Sequence, residues 1–355
     1  MKIYNNIYAA ILILIFSLSV FLCTLYDYGL SKVSNNSTKK EIVIEPGSID
    51  SIATTLYQNN MIRSKLAFNI YARLNGKTKL MAATYKLSEN MGTKKIIDIL
   101  NKGNSLDKSN SITFAEGINM RKIAKIINHN TNNTEDDVYE LLEDENYLDS
   151  LIEKYWFLTD DIKNTNIYYP LEGYLYPNTY AIDPKKTTVK EIFSKMLDET
   201  DKQLSKYKDE ITNNSLSIHQ LMTLSSIVEL EGTNEKNRSA IARVFYNRLN
   251  SGMNLGSDVT TYYGAKVDMG QRDLYTGEVT ECNNYNTRCT KFKTLPISPI
   301  CNFSINTLKV VLSPEENDYY YFVADKNKKV YFSKTQSEHN DIIKKLKEEG
   351  LWYEY

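Results

Sequence analysis

An uncharged apolar run near the N-terminus constrains this chain more than any other feature. The run from Ile7 to Tyr26 contains no Asp, Glu, Lys or Arg and is about as long as a helix that crosses a bilayer. A cleaved signal peptide is the competing interpretation, but no small-residue cleavage site follows the run. We therefore expect a short cytoplasmic tip and one transmembrane helix within residues 1–30. The rest of the chain would lie outside the cytoplasm at the cell membrane, although lysines on both sides of the run leave the orientation open by charge counting.

The overall charge argues against a polyanionic partner. The chain has 43 Lys and Arg against 44 Asp and Glu, so no net field attracts nucleic acid. The sequence also lacks a phosphate-binding glycine loop, metal-ligand spacing and a nucleophilic Ser-His-Asp pattern. We therefore expect no nucleic-acid partner, no cofactor and no metal site.

Beyond the membrane segment, the sequence predicts an α+β protein with two folded parts. A strand, a turn and a helix follow one another from Glu41 and again from Ser111, which indicates one small module. Helices and a late strand pair then alternate without the regular order of a doubly wound sheet. The predicted parts are a linker at 31–40, a small module at 41–130, an acidic and solvated helical connector at 131–167, and a larger α+β domain at 168–355.

One predicted helix carries a carboxylate on an apolar face. In the segment SIHQLMTLSSIVELEG, helical spacing aligns Glu229 with Ile218, Met222 and Ser225, whereas Glu231 points to roughly the opposite side. A carboxyl group among Ile and Val neighbours is costly to ionise, and a protonated carboxyl can donate a proton to a leaving oxygen. The alternative is a buried structural Glu that is satisfied by Arg243 or by another base on the next helix.

Three cysteines lie outside the apolar run. Cys282 and Cys289 bracket a short segment and could close a small loop in an oxidising compartment. They could equally be ordinary small apolar residues, as could Cys301. No His lies between residues 282 and 301, which argues against zinc.

Several short segments together resemble the MltG, or YceG-like, family of endolytic murein transglycosylases along nearly the whole chain. The segments, in chain order, are IVIEPGS, TYKLS, FAEGINMRKIA, LEGYLYPNTY, LSSIVELEG, VFYNRLNSGMNLGSDVTTYYG, YNT, LPISPI, YYYFVAD and FSKTQSEHN. The resemblance implies that the first module is LysM-like and that residues 168–355 form the catalytic domain. It also implies that Glu229 is the catalytic acid/base. Residues that match polar positions around the family's cleft, as substrate-binding or supporting groups, are Glu231, Glu172, Tyr174, Asn247, Asp258, Tyr262 and Asn286.

The family chemistry implies a specific reaction on peptidoglycan. A lytic transglycosylase cleaves the bond between N-acetylmuramic acid and N-acetylglucosamine in nascent strands and leaves 1,6-anhydro ends, with one carboxyl group as acid and then base. Such an enzyme would act in cell wall assembly and could terminate strand elongation, with peptidoglycan synthases and other assembly proteins open as partners. Two alternatives stay open: a muramidase-like hydrolase with Asp258 or Glu172 as second carboxylate, and a non-catalytic glycan-binding or synthase-scaffolding protein.

Overall fold

The computed structural model describes residues 2–103 and 111–352, with side chains from residue 12 onward. The backbone of the predicted membrane run is therefore described, but the side chains of residues 7–11 are not. The described chain divides into two compact units, Met1–Ser111 and Ile112–Tyr355. The sequence placed this boundary at residue 130, so the structure moves it towards the N-terminus.

The first unit begins with one long helix, α1 (Lys2–Leu30). Within it, Leu12–Leu30 is apolar and long enough to cross a membrane, with a mean hydropathy of 1.8. The side chains from Leu12 to Leu25 are exposed, whereas Gly29 and Leu30 at the end of the helix are buried. Only the last turn of α1 is therefore part of the folded unit, and the apolar remainder is free to contact lipid.

The rest of the first unit is a small two-stranded sheet covered by helices. β1 (Lys40–Ile44) pairs antiparallel with β2 (Ala83–Leu87), with Ile42 opposite Tyr85. Between them lie α2 (Ile49–Gln58) and α3 (Lys65–Leu74), whose first turns are capped by Ser48 and Ser64. α4 (Thr93–Lys102) follows β2. The buried side chains of this unit include Ile44, Leu56, Phe68, Leu87 and Ile97.

The second unit is mainly helical, with two short strand pairs. β3 pairs with β4, and β5 pairs antiparallel with β6. The strands are β3 (Ser111–Thr113), β4 (Thr179–Ala181), β5 (Tyr321–Ala324) and β6 (Val330–Ser333). The helices are α5 (Met120–Asn130), α6 (Glu135–Glu143), α7 (Glu145–Lys154), α8 (Val189–Leu204), α9 (Lys208–Thr212), α10 (Ile218–Glu231), α11 (Glu235–Asn250), α12 (Asp258–Gly264), α13 (Thr276–Thr280), α14 (Ile305–Leu312) and α15 (Gln336–Glu348), with 3₁₀ turns at Asp160–Lys163 and Ser205–Tyr207.

The region predicted as a solvated connector is part of the second core. α6 and α7 bury apolar side chains that include Val138, Leu142 and Leu148, and they join the same core as Ile123 and Ile127 of α5. Their acidic residues lie on the remaining, exposed faces. The sequence showed helical spacing of these apolar residues, but the many acidic residues favoured a solvated connector. One face of each helix is nevertheless apolar enough to pack.

Candidate active site

α10 buries Glu229 within the second unit. Ser217 caps the helix by accepting a hydrogen bond from Gln220 N, and a reciprocal bond from the Ser217 backbone to the Gln220 side chain completes a capping box. Residues from Leu221 to Glu229 are all buried, because α10 packs against α11, α12 and α14. Glu229, near the C-terminal end of the helix, is 6% exposed.

One carboxylate oxygen of Glu229 is held by the start of α14. Glu229 Oε2 accepts hydrogen bonds from Ser304 N at 3.0 Å, Ser304 Oγ at 3.0 Å and Thr307 Oγ1 at 2.5 Å. Ser304 is the N-cap residue of α14. Unpaired backbone N–H groups and the helix dipole favour negative charge at this end of a helix. The first turn of α14 therefore supplies three hydrogen-bond donors to one oxygen of Glu229.

The other oxygen of Glu229 is paired with an arginine on the next helix. Arg238 Nη2 of α11 donates to Glu229 Oε1 at 2.5 Å, and Arg238 Nε donates to Gly232 O at 3.1 Å. The basic residue that pairs with Glu229 is thus Arg238, whereas Arg243 pairs with Glu316. All of these contacts to Glu229 come from donor groups, so both of its carboxylate oxygens accept hydrogen bonds.

A further carboxylate, Glu116, lies within electrostatic range of Glu229. Burial raises the pKa of Glu116, and the negative charge of Glu229 adds to this shift while Arg238 opposes it. The adjoining backbone is fixed, since Gly117 N donates to Asn302 O at 2.7 Å. The segment FAEGINMRKIA had suggested a structural turn at this point, without a role for its carboxylate.

Glu231 belongs to a different polar group from Glu229. Its Oε1 accepts a hydrogen bond from Ser257 Oγ at 2.6 Å, at the start of α12. Burial raises the pKa of Glu231 to about 7, although the Ser257 hydrogen bond opposes the rise. Next to Ser257, the exposed Asp258 forms an ion pair with Arg288. Glu229 and Glu231 are therefore held by separate elements, as their spacing on the helix predicted.

A disulfide closes the loop that carries Asn286. Cys282 and Cys289 are bonded, and Cys301 is a buried free thiol. Asn286 is fully buried: its Nδ2 donates to Glu281 O at 2.6 Å, and its Oδ1 accepts from Thr261 Oγ1 of α12 at 2.8 Å. On the chain-entropy model, a loop this short gains roughly 2–3 kcal/mol from the cross-link. The cross-linked loop therefore fixes the position of α12.

Glu172 forms a third group, closed off from solvent. It is 0% exposed, and its Oε2 accepts from Met120 N at 2.8 Å and Tyr263 OH at 3.0 Å. Asn302 lies next to it and joins two segments, since its Oδ1 accepts from Leu175 N at 2.9 Å and its backbone N donates to Ile118 O at 2.9 Å. Burial raises the pKa of Glu172 to about 7. Full burial gives Glu172 a supporting position rather than one in contact with substrate.

Replacing Glu172 by Gln should remove a pH-dependent loss of stability. Folding raises the pKa of this carboxyl group from 4.5 to about 7. Its contribution to stability is therefore fully present below pH of about 4.5 and is lost as the pH rises through about 7. Gln does not titrate, so the variant lacks this loss. The free energy of unfolding of Glu172→Gln minus that of wild type should therefore rise by roughly 1–3 kcal/mol from pH 5 to pH 8. Urea unfolding at several pH values measures this change.

The matched control is Glu278→Gln. Arg272 lowers the pKa of the half-buried Glu278 carboxyl to about 2, so its contribution has the opposite pH dependence and no gain is expected at high pH. A difference between Glu172→Gln and wild type that stays constant from pH 5 to 8 would contradict the assignment.

The remaining predicted site residues have supporting contacts. Tyr174 is buried, and its OH lies 2.7 Å from His219 Nδ1. Asn247 Nδ2 donates to Tyr319 O at 2.9 Å and so fixes the segment before β5. Tyr262 is half-buried on α12. None of these contacts connects the three residues directly to Glu229.

Sequence reasoning missed the residues that contact Glu229. Arg238 lies in a polar segment without a recognisable pattern, and Ser304 and Thr307 lie after LPISPI. One signal was available: a Ser immediately before an apolar helical segment is typical of a helix N-terminus. Nothing in that pattern indicates that the N-terminus faces Glu229.

Comparisons with known proteins agree over most of the chain. The YceG-like family matches residues 42–345. The endolytic murein transglycosylase of Bacillus subtilis (strain 168) is 34% identical over 313 residues, covering 88% of this chain and 86% of that protein. The endolytic murein transglycosylase of Streptococcus pneumoniae serotype 2 is 29% identical over 334 residues, covering 89% of this chain but 60% of the longer relative. The crystal structure of a YceG-like protein from Listeria monocytogenes has a TM-score of 0.62 and 35% identity, covering 86% of this chain and 99% of that one.

Proposed function

Because this chain belongs to the YceG-like family, we propose that it is an endolytic murein transglycosylase in which Glu229 is the catalytic acid/base. The observation that carries the proposal is the setting of Glu229: a carboxylate at the end of a buried helix, with donors on both of its oxygens. Its substrate is the peptidoglycan glycan strand, and its product is a strand with a 1,6-anhydro-N-acetylmuramic acid end.

One carboxyl group can perform both proton transfers of this reaction. As an acid, Glu229 protonates the glycosidic oxygen that leaves with N-acetylglucosamine. The 6-hydroxyl group of the N-acetylmuramic acid then attacks C1, and the Glu229 carboxylate accepts the hydroxyl proton. The bond from C1 to the leaving oxygen breaks, the bond from C1 to O6 forms, and no water is consumed.

The contacts of Glu229 support this cycle. Ser304, Thr307 and Arg238 are placed to donate hydrogen bonds to the carboxylate that remains after the first proton transfer. The Arg238 side chain is 19% exposed, whereas Ser304 and Thr307 are buried. We infer that a sugar oxygen approaches Oε1 and that Arg238 yields this position during the reaction.

A hydrolase is the less favoured alternative. It would need a second carboxylate to activate water or to act as nucleophile. Glu172 has no exposed surface, and Asp258 is paired with Arg288 at the start of α12. The transglycosylase reaction uses one carboxyl group and requires no catalytic role for Glu172 or Asp258.

The products distinguish the candidate functions. Incubation of the protein with uncross-linked glycan strands should release fragments whose muramic ends weigh one water less than reducing ends. Reducing ends would establish the hydrolase instead, and strand binding without any cleavage would establish a binding or scaffolding role. Internal cleavage should shorten long strands at once, whereas cleavage from an end would release only small products at first.

We further propose that α1 is an uncleaved anchor and that the protein is a single-pass membrane protein with both folded units outside the cytoplasm. The apolar span supports this location, as does the absence of a small-residue cleavage site after it. The strand, helix, helix, strand order of the first unit supports a LysM-like module that contacts glycan next to the membrane. Peptidoglycan synthases and other wall-assembly proteins are the proposed protein partners.

Protease accessibility tests this topology. Protease added to intact spheroplasts should digest both folded units, while α1 and the tip remain with the membrane fraction. A cytoplasmic protein serves as the control for leakage. Protection of the folded units in intact spheroplasts, with digestion only after lysis, would reverse the proposed orientation. Release of both folded units into the medium without α1 would indicate a cleaved signal sequence.

A further inference from the structure

α3 in the first unit exposes an apolar stripe. Leu66, Ile70 and Leu74 are spaced by four residues, so they lie along one side of the helix, and they are 69%, 38% and 77% exposed. The opposite side buries Phe68 and Ala72 in the core. Isolated exposed apolar side chains are common, but three in line on one short helix form a surface that water does not favour.

This helix packs against the end of the membrane span. A side chain added at Gly29 of α1 would lie 2.8 Å from the Cβ of Ala67, so the two helices touch at that point. Arg63, just before α3, donates to the hydroxyl of Tyr28 at 2.8 Å and to Val33 O at 2.8 Å. Those contacts fix α3 at the level where the chain leaves the apolar run. Tyr side chains at this level are typical of a membrane interface.

The charge around the stripe suits an anionic lipid surface. α3 contains Lys65 and Arg73, both exposed, and no acidic residue. Beyond its end, Lys77 and Lys94 lie within 5.6 and 5.7 Å of the Tyr71 ring, although Asp98 partly neutralises Lys77. Basic residues next to an apolar helical face are the pattern of helices that lie in the membrane interface.

We propose that α3 lies on the outer leaflet of the membrane that α1 crosses, with Leu66, Ile70 and Leu74 in contact with acyl chains and with Lys65 and Arg73 at anionic headgroups. The occupant of the stripe is therefore lipid. With this docking, the first unit contacts the membrane surface next to its own anchor, α1. The inference rests on the proposed anchoring by α1 and is independent of the catalytic assignment.

Photo-crosslinking from Ile70 tests the proposal. The full chain, with a photoreactive phenylalanine analogue at Ile70, is reconstituted into vesicles that contain phosphatidylglycerol. The matched control carries the analogue at Val43, a 53% exposed apolar residue on β1 of the same unit. Illumination should give a lipid adduct at position 70 in at least about fivefold higher yield than at position 43, since a fivefold ratio needs only about 1 kcal/mol of preference.

Three variations make the test specific. Leu66→Gln with Leu74→Gln should lower the adduct yield at position 70 severalfold, and thermal unfolding in detergent should stay unchanged because both side chains are exposed. Replacing phosphatidylglycerol by phosphatidylcholine, or adding salt, should also lower the yield. The chain must pellet with vesicles in every case, which checks the anchor separately from α3.

Several outcomes would overturn the proposal. A crosslink from position 70 to a second copy of the chain would make the stripe a protein interface. Equal lipid adducts at positions 70 and 43, or none at either in a chain that pellets with vesicles, would show that α3 does not dock. A chain that fails to pellet would remove the premise, namely the anchoring by α1, and would leave the release of anhydro products unaffected.

Discussion

Replacing Glu229 by Gln should lower the release of anhydro-ended glycans by about 100- to 10,000-fold, the usual contribution of general acid/base catalysis. Gln has nearly the same shape, and its oxygen can still accept hydrogen bonds from Ser304 and Thr307. It cannot donate a proton to a leaving oxygen or accept one from the attacking hydroxyl. The fold and the binding of glycan strands should therefore remain nearly intact. Product mass analysis beside thermal unfolding measures both properties.

The control for this prediction is Glu231→Gln, two residues further on α10. Glu231 is bonded to Ser257 and not to the donors around Glu229, so its replacement should cost less activity. The competing explanation for Glu229 is a purely structural role. A Glu229→Gln protein that is well folded and releases anhydro ends at a near wild-type rate would establish that role and end the catalytic assignment.

Removing Arg238 from its ion pair with Glu229 should have a large effect on stability. Arg238→Met leaves the buried carboxylate without its cation, and loss of one partner of a buried pair costs several kcal/mol. Because Ser304 and Thr307 still satisfy Oε2, we expect a cost of about 2–4 kcal/mol. Combining Arg238→Met with Glu229→Gln should restore part of the loss, with a coupling energy of roughly 1–3 kcal/mol.

Arg243→Met is the matched control for this cycle. Arg243 lies on the same helix but pairs with Glu316, whose side chain is 84% exposed. Because the Glu316 carboxylate that is left behind is solvated, removing Arg243 should cost only about 0–1 kcal/mol. Chemical denaturation of the four proteins in the Glu229 and Arg238 cycle gives the coupling energy directly. Strictly additive effects of the two substitutions would mean that the pair contributes nothing to folding.

Local pattern predicted the elements of this fold better than their arrangement. The helix that carries Glu229 was predicted from residue 217 to 231 and is observed at Ile218–Glu231, because its cap and its apolar residues are close in sequence. The similar strand-turn-helix segments that begin at Glu41 and Ser111 suggested one module. In the structure β1 pairs with β2, while β3 pairs with β4 in the second unit. Strand pairing depends on distant partners, which a local pattern does not contain.

The same dependence on distant residues limited what the sequence could predict about the site. The spacing of apolar residues placed Glu229 on an inward face, and the family resemblance supplied its proposed role. The partners of Glu229 could not be read from the sequence, because Ser304 and Thr307 are 75 and 78 residues away from it. The alternative of a base on the next helix was correct in kind, but the pair forms at Arg238 rather than at Arg243.

The long separation between Glu229 and the start of α14 also sets an order of events during synthesis. A chain is synthesised from its N-terminus, so Glu229 emerges well before Ser304 and Thr307. Until those residues arrive and α14 folds onto α10, the carboxylate lacks three of its hydrogen bonds. Closing so long a loop is a late step in folding. On the role proposed for Glu229, a partly synthesised chain therefore lacks the hydrogen bonds that hold its acid/base in place.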